Sequence, residues 1–289
     1  MQYSSQFRRF VIGLTLFWLF NLIFIPHLMI LVTSLLSPDT EHFVVWPLNL
    51  MSYHKIFQPI YLQIFWQSLR LALITTVFCF LIAYPFSAIT ARLSFYKKLL
   101  LLFFLIVPFW TNSLIRTYAI KMLLSTKGII NSILLYLHII DQPLHLLYSD
   151  FAVIFGLVYI LLPFMILPLL SSFEQLDNDV IEASKDLGAN IVYRFVYIIF
   201  PLTLPGIVAG VLLVFLPALG MFYIPDVLGG STILLVGNLI RNQFLIVQDW
   251  PFGASLSIFF IMTMLAMLFF YYKINRIMQK RGGLDDENI

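Results

Sequence analysis

Residues Phe151–Phe173, FAVIFGLVYILLPFMILPLLSSF, contain no charged side chain. A helix of that length, rising about 1.5 Å per residue, covers the ~30 Å hydrocarbon core of a bilayer. Within lipid a helix satisfies every backbone N–H and C=O inside its own segment, so the run reads as a transmembrane helix. Further charge-free windows run over Phe10–Leu36, Leu71–Ala91, Leu99–Ile115, Phe195–Pro225 and Trp250–Tyr272. The chain as a whole is 61% hydrophobic and 11% charged, with a mean hydropathy of +0.95. Soluble domains carry about 25% charged residues. The pattern predicts an all-α, polytopic bundle of six transmembrane helices forming one domain over residues 1–289. The spans are expected at about 10–36, 66–91, 99–124, 151–174, 201–224 and 250–273.

Arg8 and Arg9 precede a first apolar run longer than the 7–15 residues of a signal-peptide core, and no small-x-small site closes it. It reads as a retained span. Cys79 is the single cysteine and lies mid-span, so no disulfide forms within the chain. Six spans put Arg8, Arg9, Arg92, Lys97, Lys98, Lys185, Arg194, Lys273, Arg276, Lys280 and Arg281 on one side. Lys55, Arg70, Arg116, Lys121, Lys127 and Arg241 fall on the other. The excess on the first side predicts an N-in/C-in topology, and it accounts for the net charge of +3 without nucleic acid.

Between the spans, the outer loop at 37–62 is rich in rings and prolines (Pro38, Phe43, Trp46, Pro47, Tyr53, Phe57, Pro59), which suit the membrane–water boundary. Gly128–Ile140 has helical spacing but is too short to span, and reads as an interfacial or re-entrant helix. A third outer segment includes Ile233–Phe244, and a polar tail ends in LDDENI. Pro85, Pro108, Pro163, Pro168, Pro205 and Pro217 interrupt the spans, alongside Gly206, Gly210 and Gly220. Two readings stand: kinked helices that pack closely around a pathway, or the general abundance of Pro and Gly in membrane helices.

The most polar internal stretch is Glu182–Pro201, EASKDLGANIVYRFVYIIFP. Asp179, three residues before Glu182, gives a capping-box-like helix start. Val180, Ile181, Ala183, Leu187 and Ala189 favour one helical side, leaving Glu182, Lys185 and Asp186 for water or a partner. Gly188 permits a left-handed cap or reversal, a second helix follows, and Pro201 is expected to start the fifth span. The alternative is an ordinary loop helix.

Glu182-Ala183-Ser184, three residues, Gly188, nine residues and Ile198-x-Phe200-Pro201 resemble the EAA loop of bacterial ABC importer permeases. Ser184 and Phe200 depart conservatively from that pattern. Leu101–Asn131, Leu157–Asp177, Leu216–Gly230 and Asp249–Ala254 resemble the polyamine (spermidine/putrescine) branch of the same family. The resemblance implies a permease domain of the type I importer kind, in the bacterial inner membrane, whose loop at 177–200 is a cytoplasmic coupling helix seated on an ATPase. In that role Glu182 faces the ATPase, Ala183 and Leu187 pack, Ser184 and Asp186 belong to the coupling surface, and Gly188 sets the bend. It further implies a second, homologous permease, two ATPase subunits that bind the ATP and Mg, and a periplasmic polyamine-binding protein. Polyamines would then cross from periplasm to cytoplasm by alternating access.

A path for extended cations needs carboxylates, hydroxyls and aromatic faces, a cation–π contact contributing about 0.5–2 kcal/mol. Asp226, beside Phe222, Tyr223 and Pro225, is the leading candidate, since an acidic group near membrane depth is a functional candidate by default. Its alternative is a headgroup-level carboxylate paired with Arg241. Trp110, Thr111 and Asn112, with Ser113, form a polar-aromatic cluster after Pro108, and helix–helix hydrogen bonding explains them equally well. Arg116 and Lys121 repel cations and suit lipid phosphates, acidic neighbours or an acidic binding protein. Asp249 and Trp250 suit a helix N-terminus, and Asn21 and His27 suit packing.

No GxxxxGK phosphate loop is present, so the chain is not expected to bind ATP, and it carries no catalytic site. The five histidines show no metal-ligand spacing, so neither metal nor cofactor is expected on this chain. A permease for another small solute, a secondary transporter or channel, and a membrane scaffold are the competing readings.

Overall fold

The computed structural model describes residues 5–39, 44–46, 48–230 and 232–281. Phe43, Pro47, the LDDENI tail and His42, one of the five histidines, lie outside these residues, as do the side chains of Arg276, Lys280 and Arg281. Among the described residues one isolated antiparallel bridge joins Ser37 and Val45, and the remaining regular structure is helical. Six helical segments are long and apolar enough to cross a membrane: Phe7–Ser34, Pro59–Ala91, Ser113–Tyr136, Asp150–Glu174, Ile191–Gly220 and Trp250–Lys273. The all-α, six-span expectation is met.

The third span differs from its expectation. The apolar run expected to be continuous over 99–124 is a helix at Phe95–Ile106, a 3-10 turn at Val107–Trp110, and a second helix at Ser113–Leu124. Thr111 and Asn112 between them are extended (ψ 149° and 134°). Pro108, which has no N–H to give and crowds the preceding turn, stands inside the tightened turn. The Asn112 side chain then restarts the helix by accepting from Leu114 N at 2.8 Å. Ile129–Tyr136 follows Gly128 as a helix of its own. Buried Asn131 holds the segment after it, donating to Ser125 O and Leu144 O and accepting from Leu144 N.

Two other prolines are accommodated without a break. Wide π turns at Phe20–Phe24 and Phe195–Ile199 each end one residue before an X-Pro pair, Ile25-Pro26 and Phe200-Pro201. In each, the residue before proline donates five back, Ile25 N to Phe20 O and Phe200 N to Phe195 O. An ordinary α turn would press the proline ring onto the carbonyl four residues earlier; the wider turn carries the helix through. Pro201 therefore does not start the fifth span, which runs unbroken in helical form from Ile191.

The chain divides into two compact units. One comprises residues 1–62 and 239–289. In it the Trp250–Arg281 helix packs on Ile25–Ser34 and on the short helix Met51–Ile56. Edge-on ring pairs, Tyr61–Phe252 at 4.9 Å and Phe57–Phe259 at 6.3 Å, fill that contact. Asp249 caps the helix by accepting from Phe252 N at 3.1 Å, as its position suggested, and also pairs with Lys55 at 3.1 Å. Asn21 and His27 do not pack into a core. Asn21 Nδ2 donates to Phe17 O and His27 Nδ1 to Ile23 O, one helical turn back, which satisfies them inside their own helix.

The other unit comprises residues 63–238. Its centre is the close pairing of the fourth and fifth spans around buried Leu157, Leu161, Met165, Ile166 and Leu169. A Cβ placed at Gly206 would stand 2.6 Å from Pro168 O, so the two backbones meet where only glycine fits. Tyr84 of the second span joins this core, its hydroxyl 3.1 Å from Thr203 Oγ1 and its ring 5.1 Å from that of Phe173.

Candidate functional site: a coupling loop and an acidic turn

The loop between the fourth and fifth spans is built from local hydrogen bonds. Its first helix is Asn178–Asp186, and the N-cap is Asp177, whose carboxylate accepts from Asp179 N at 2.9 Å. The expected start at Asp179 is thus two residues late: Asp177 is extended and leaves the helix's first N–H groups within reach, while Asp179 adds negative charge to the first turn. The helix ends in a Schellman motif. Gly188 N donates to Lys185 O at 2.9 Å and Ala189 N to Ser184 O at 3.0 Å, with Gly188 at φ +79°. Asn190 then caps the second helix, accepting from Tyr193 N at 2.8 Å.

Burial divides the coupling candidates. Ser184 is buried, its hydroxyl donating to Ile181 O at 2.6 Å. Glu182, Ala183, Asp186 and Gly188 are exposed, and Leu187 is 88% exposed. The apolar side read from the sequence is therefore split: Ile181 and Ser184 face inward, while Ala183 and Leu187, one turn apart, are displayed outward beside Glu182 and Asp186. Ala183 and Leu187 are left exposed among the described residues.

The path candidates sit on two elements. Phe222 and Tyr223, with rings at right angles 6.1 Å apart, lead into a π turn at Pro225–Gly229 that carries Asp226. Fully buried Asn238 organises the turn. Its Nδ2 donates to Asp226 Oδ1 and, at 2.8 Å, to Phe222 O, while its Oδ1 accepts from Leu235 N at 3.3 Å. An amide donor orients the carboxylate without itself cancelling the charge. Nothing in the local sequence pointed to Asn238, because its partner lies twelve positions away across a chain reversal at Gly229-Gly230.

Trp110 is exposed at the break described above. Thr111 Oγ1 donates to Pro108 O at 2.7 Å and Asn112 caps the next helix, so both shape the break. That helix, Ser113–Leu124, packs on the Pro225–Gly229 turn, which brings the two candidate sets onto neighbouring elements. Arg116 on the same helix stacks over Phe109 at 4.5 Å and approaches Tyr159 at 6.0 Å. Within the described residues it thus lies against rings, as the weakly hydrated plane of a guanidinium favours.

The family described as "Binding-protein-dependent transport system inner membrane component" matches residues 83–281. The chain belongs to this family. It is a permease subunit of ABC-importer type and a multi-pass protein of the bacterial inner membrane. Among curated relatives, the spermidine/putrescine transport system permease protein PotB of Haemophilus influenzae is 45% identical, over 98% of this chain and 99% of that protein. PotB of Escherichia coli is 49% identical over 93% and 98%. Among solved structures, a chain of a bacterial alginate ABC transporter, in complex with an alginate-bound periplasmic protein, superposes with a TM-score of 0.78. The match covers 96% of each chain at 14% identity, so this permease shares that fold.

Proposed function

We propose that this permease carries spermidine and putrescine from periplasm to cytoplasm, driven by a separate ATPase that grips the Asn178–Asp186 helix. The observation that supports it most is likeness over nearly the whole chain to relatives named for those two substrates. The loop then lies in the cytoplasm, with both termini on that side, as the basic residues favour. Its outward Glu182, Ala183, Asp186 and Leu187 meet the ATPase, while Ser184 and Gly188 keep the helix and its cap in shape. Two such ATPase subunits bind the ATP and Mg, a homologous permease completes the path, and a periplasmic protein delivers the polyamine.

The physics of transmission follows from the packing. The coupling loop connects two spans whose backbones meet at Gly206, so a swing of the loop moves both spans together. The Phe222–Asp226 turn lies just beyond Gly220, the end of the fifth span, and shifts with it. Asp226 offers charge and Phe222, Tyr223 and Trp110 offer ring faces to a passing diamine or triamine, with Thr111 and Asn112 shaping the neighbouring wall.

The assembled complex, reconstituted in vesicles with its binding protein, tests this reading. Spermidine or putrescine should stimulate ATP hydrolysis and accumulate inside the vesicles. Stimulation by another solute class with no response to either polyamine would refute the substrate, and uptake without the ATPase would refute the drive.

A further inference from the structure

We propose that a cavity beneath the coupling helix, lined by Arg92, Lys185 and Arg194, is a binding site for a phosphate-bearing anion, with the headgroup of an anionic phospholipid as its source. The cavity has a volume of about 310 Å³, and Ile181, Ile191, Ile199 and Glu182 complete the lining. Arg92 follows the last residue of the Pro59–Ala91 helix, and Arg194 closes the first turn of the fifth span. Both cations therefore stand where apolar helices end, which is headgroup depth in a bilayer.

Their charges are unpaired among the described residues. Lys98 next door is paired with Glu174 at 2.8 Å in an adjoining cavity of about 390 Å³ that shares Arg92 and Ile181. Arg92, Lys185 and Arg194 make no ion pair among the described residues, and neither does Glu182. The Arg194 Nε is enclosed and has no hydrogen-bond partner. Three cations against one carboxylate leave the cavity positive, and a guanidinium fork matches phosphate oxygens in geometry as well as charge.

The surroundings favour lipid as the source. Ile191 of the lining, and Val192 and Val196 on the same helical stretch, are exposed apolar side chains that glycerol and acyl chains would cover. Basic pockets between transmembrane helices bind anionic headgroups on these grounds. Once filled, the site ties the end of the second span, the coupling helix and the start of the fifth span to one ligand. The coupling loop then reads membrane composition as well as the ATPase.

The test titrates the whole complex in phosphatidylcholine nanodiscs with phosphatidylglycerol, following the bound lipid by native mass spectrometry. Removing two headgroup-level cations in an Arg92→Gln/Arg194→Gln pair should weaken phosphatidylglycerol binding by about 10- to 30-fold. An Arg92→Lys/Arg194→Lys pair should stay within about threefold, since it keeps the charge. Lys97→Gln, which is exposed and outside the cavity, should change nothing. Melting of each variant checks its folding; if the Gln pair unfolds, Arg92→Gln alone carries the comparison. Inorganic phosphate added to the phosphatidylglycerol-loaded complex in detergent separates the sources. If it competes off phosphatidylglycerol, the site takes phosphate itself; if not, the site takes the lipid. Equal binding by the unchanged and Gln-substituted complexes overturns the proposal. So does loss of ATPase subunits from the Gln pair with lipid binding intact, which would make the cavity a protein-docking site.

Discussion

The coupling loop and the Asp226 turn are built on opposite plans. In the loop every described cap closes within five residues: Asp177 to Asp179, Ser184 to Ile181, Ala189 to Ser184 and Asn190 to Tyr193. Its shape is thus settled locally, while its outer face, Ala183 and Leu187 above all, is left without cover. The Asp226 turn is the reverse. Its carboxylate is oriented from twelve residues away by Asn238, and its underside is packed by the Ser113–Leu124 helix. A surface that another protein completes needs only a stiff local scaffold, whereas a group that must hold position inside a path needs long-range ties.

Reversing the charge at Glu182 should separate the two regions most sharply. If the loop docks the ATPase, Glu182→Lys should cut polyamine uptake by at least about 30-fold, as for an interface hot spot. ATPase subunits should be lost on purification, with the permease's own melting temperature unchanged. Full assembly and full uptake would end the docking role.

Next in size is the turn. Asp226→Asn keeps an acceptor for Asn238 but removes the charge, and should lower uptake by about tenfold with assembly intact. Asn238→Leu should mimic it while also costing about 1–3 kcal/mol of stability, because Phe222 O and the Asp226 carboxylate lose their buried donor. Normal transport kinetics in both would remove Asp226 from the path.

Gly188→Val puts a β-branched side chain at φ +79°, a strain of about 1–2 kcal/mol, and should raise ATP hydrolysed per polyamine moved. Nothing lies within 4 Å of a Cβ there, so Gly188→Asn should be tolerated; equal damage by both would point to contact instead of backbone geometry. Smallest is Asn112→Ala, which removes a helix cap worth about 1 kcal/mol and should lower the melting temperature slightly without altering polyamine selectivity. A change in selectivity would return Asn112 to the path.

The same contrast governs what could be read from the sequence. The long apolar runs declare themselves because a bilayer imposes length and composition on each span separately, and Gly188 declares its cap because left-handed backbone favours one residue type. Asp177 was missed in favour of Asp179 because two acids in one first turn differ only in backbone conformation. Pro108 and the polar cluster after it marked the place of the break at Thr111–Asn112, but not that the helix stops there, since hydropathy reports solvent and prolines inside other spans leave the helix whole. Asn238 was invisible for a deeper reason: its partner is chosen by a chain reversal, and no spacing rule spans one.

The π turn at Phe195–Ile199 has a consequence for register. It holds one residue more than an α turn, so it sets the phase between the coupling loop and the fifth span. Deleting a single residue there would restore α spacing but turn everything upstream by about 100° around the helix axis. Glu182 and Leu187 would then sweep away from the direction they now face while every hydrogen bond within the loop survived. The angle at which this permease presents the Asn178–Asp186 helix is thus stored as a count of residues, one more than a plain helix would use.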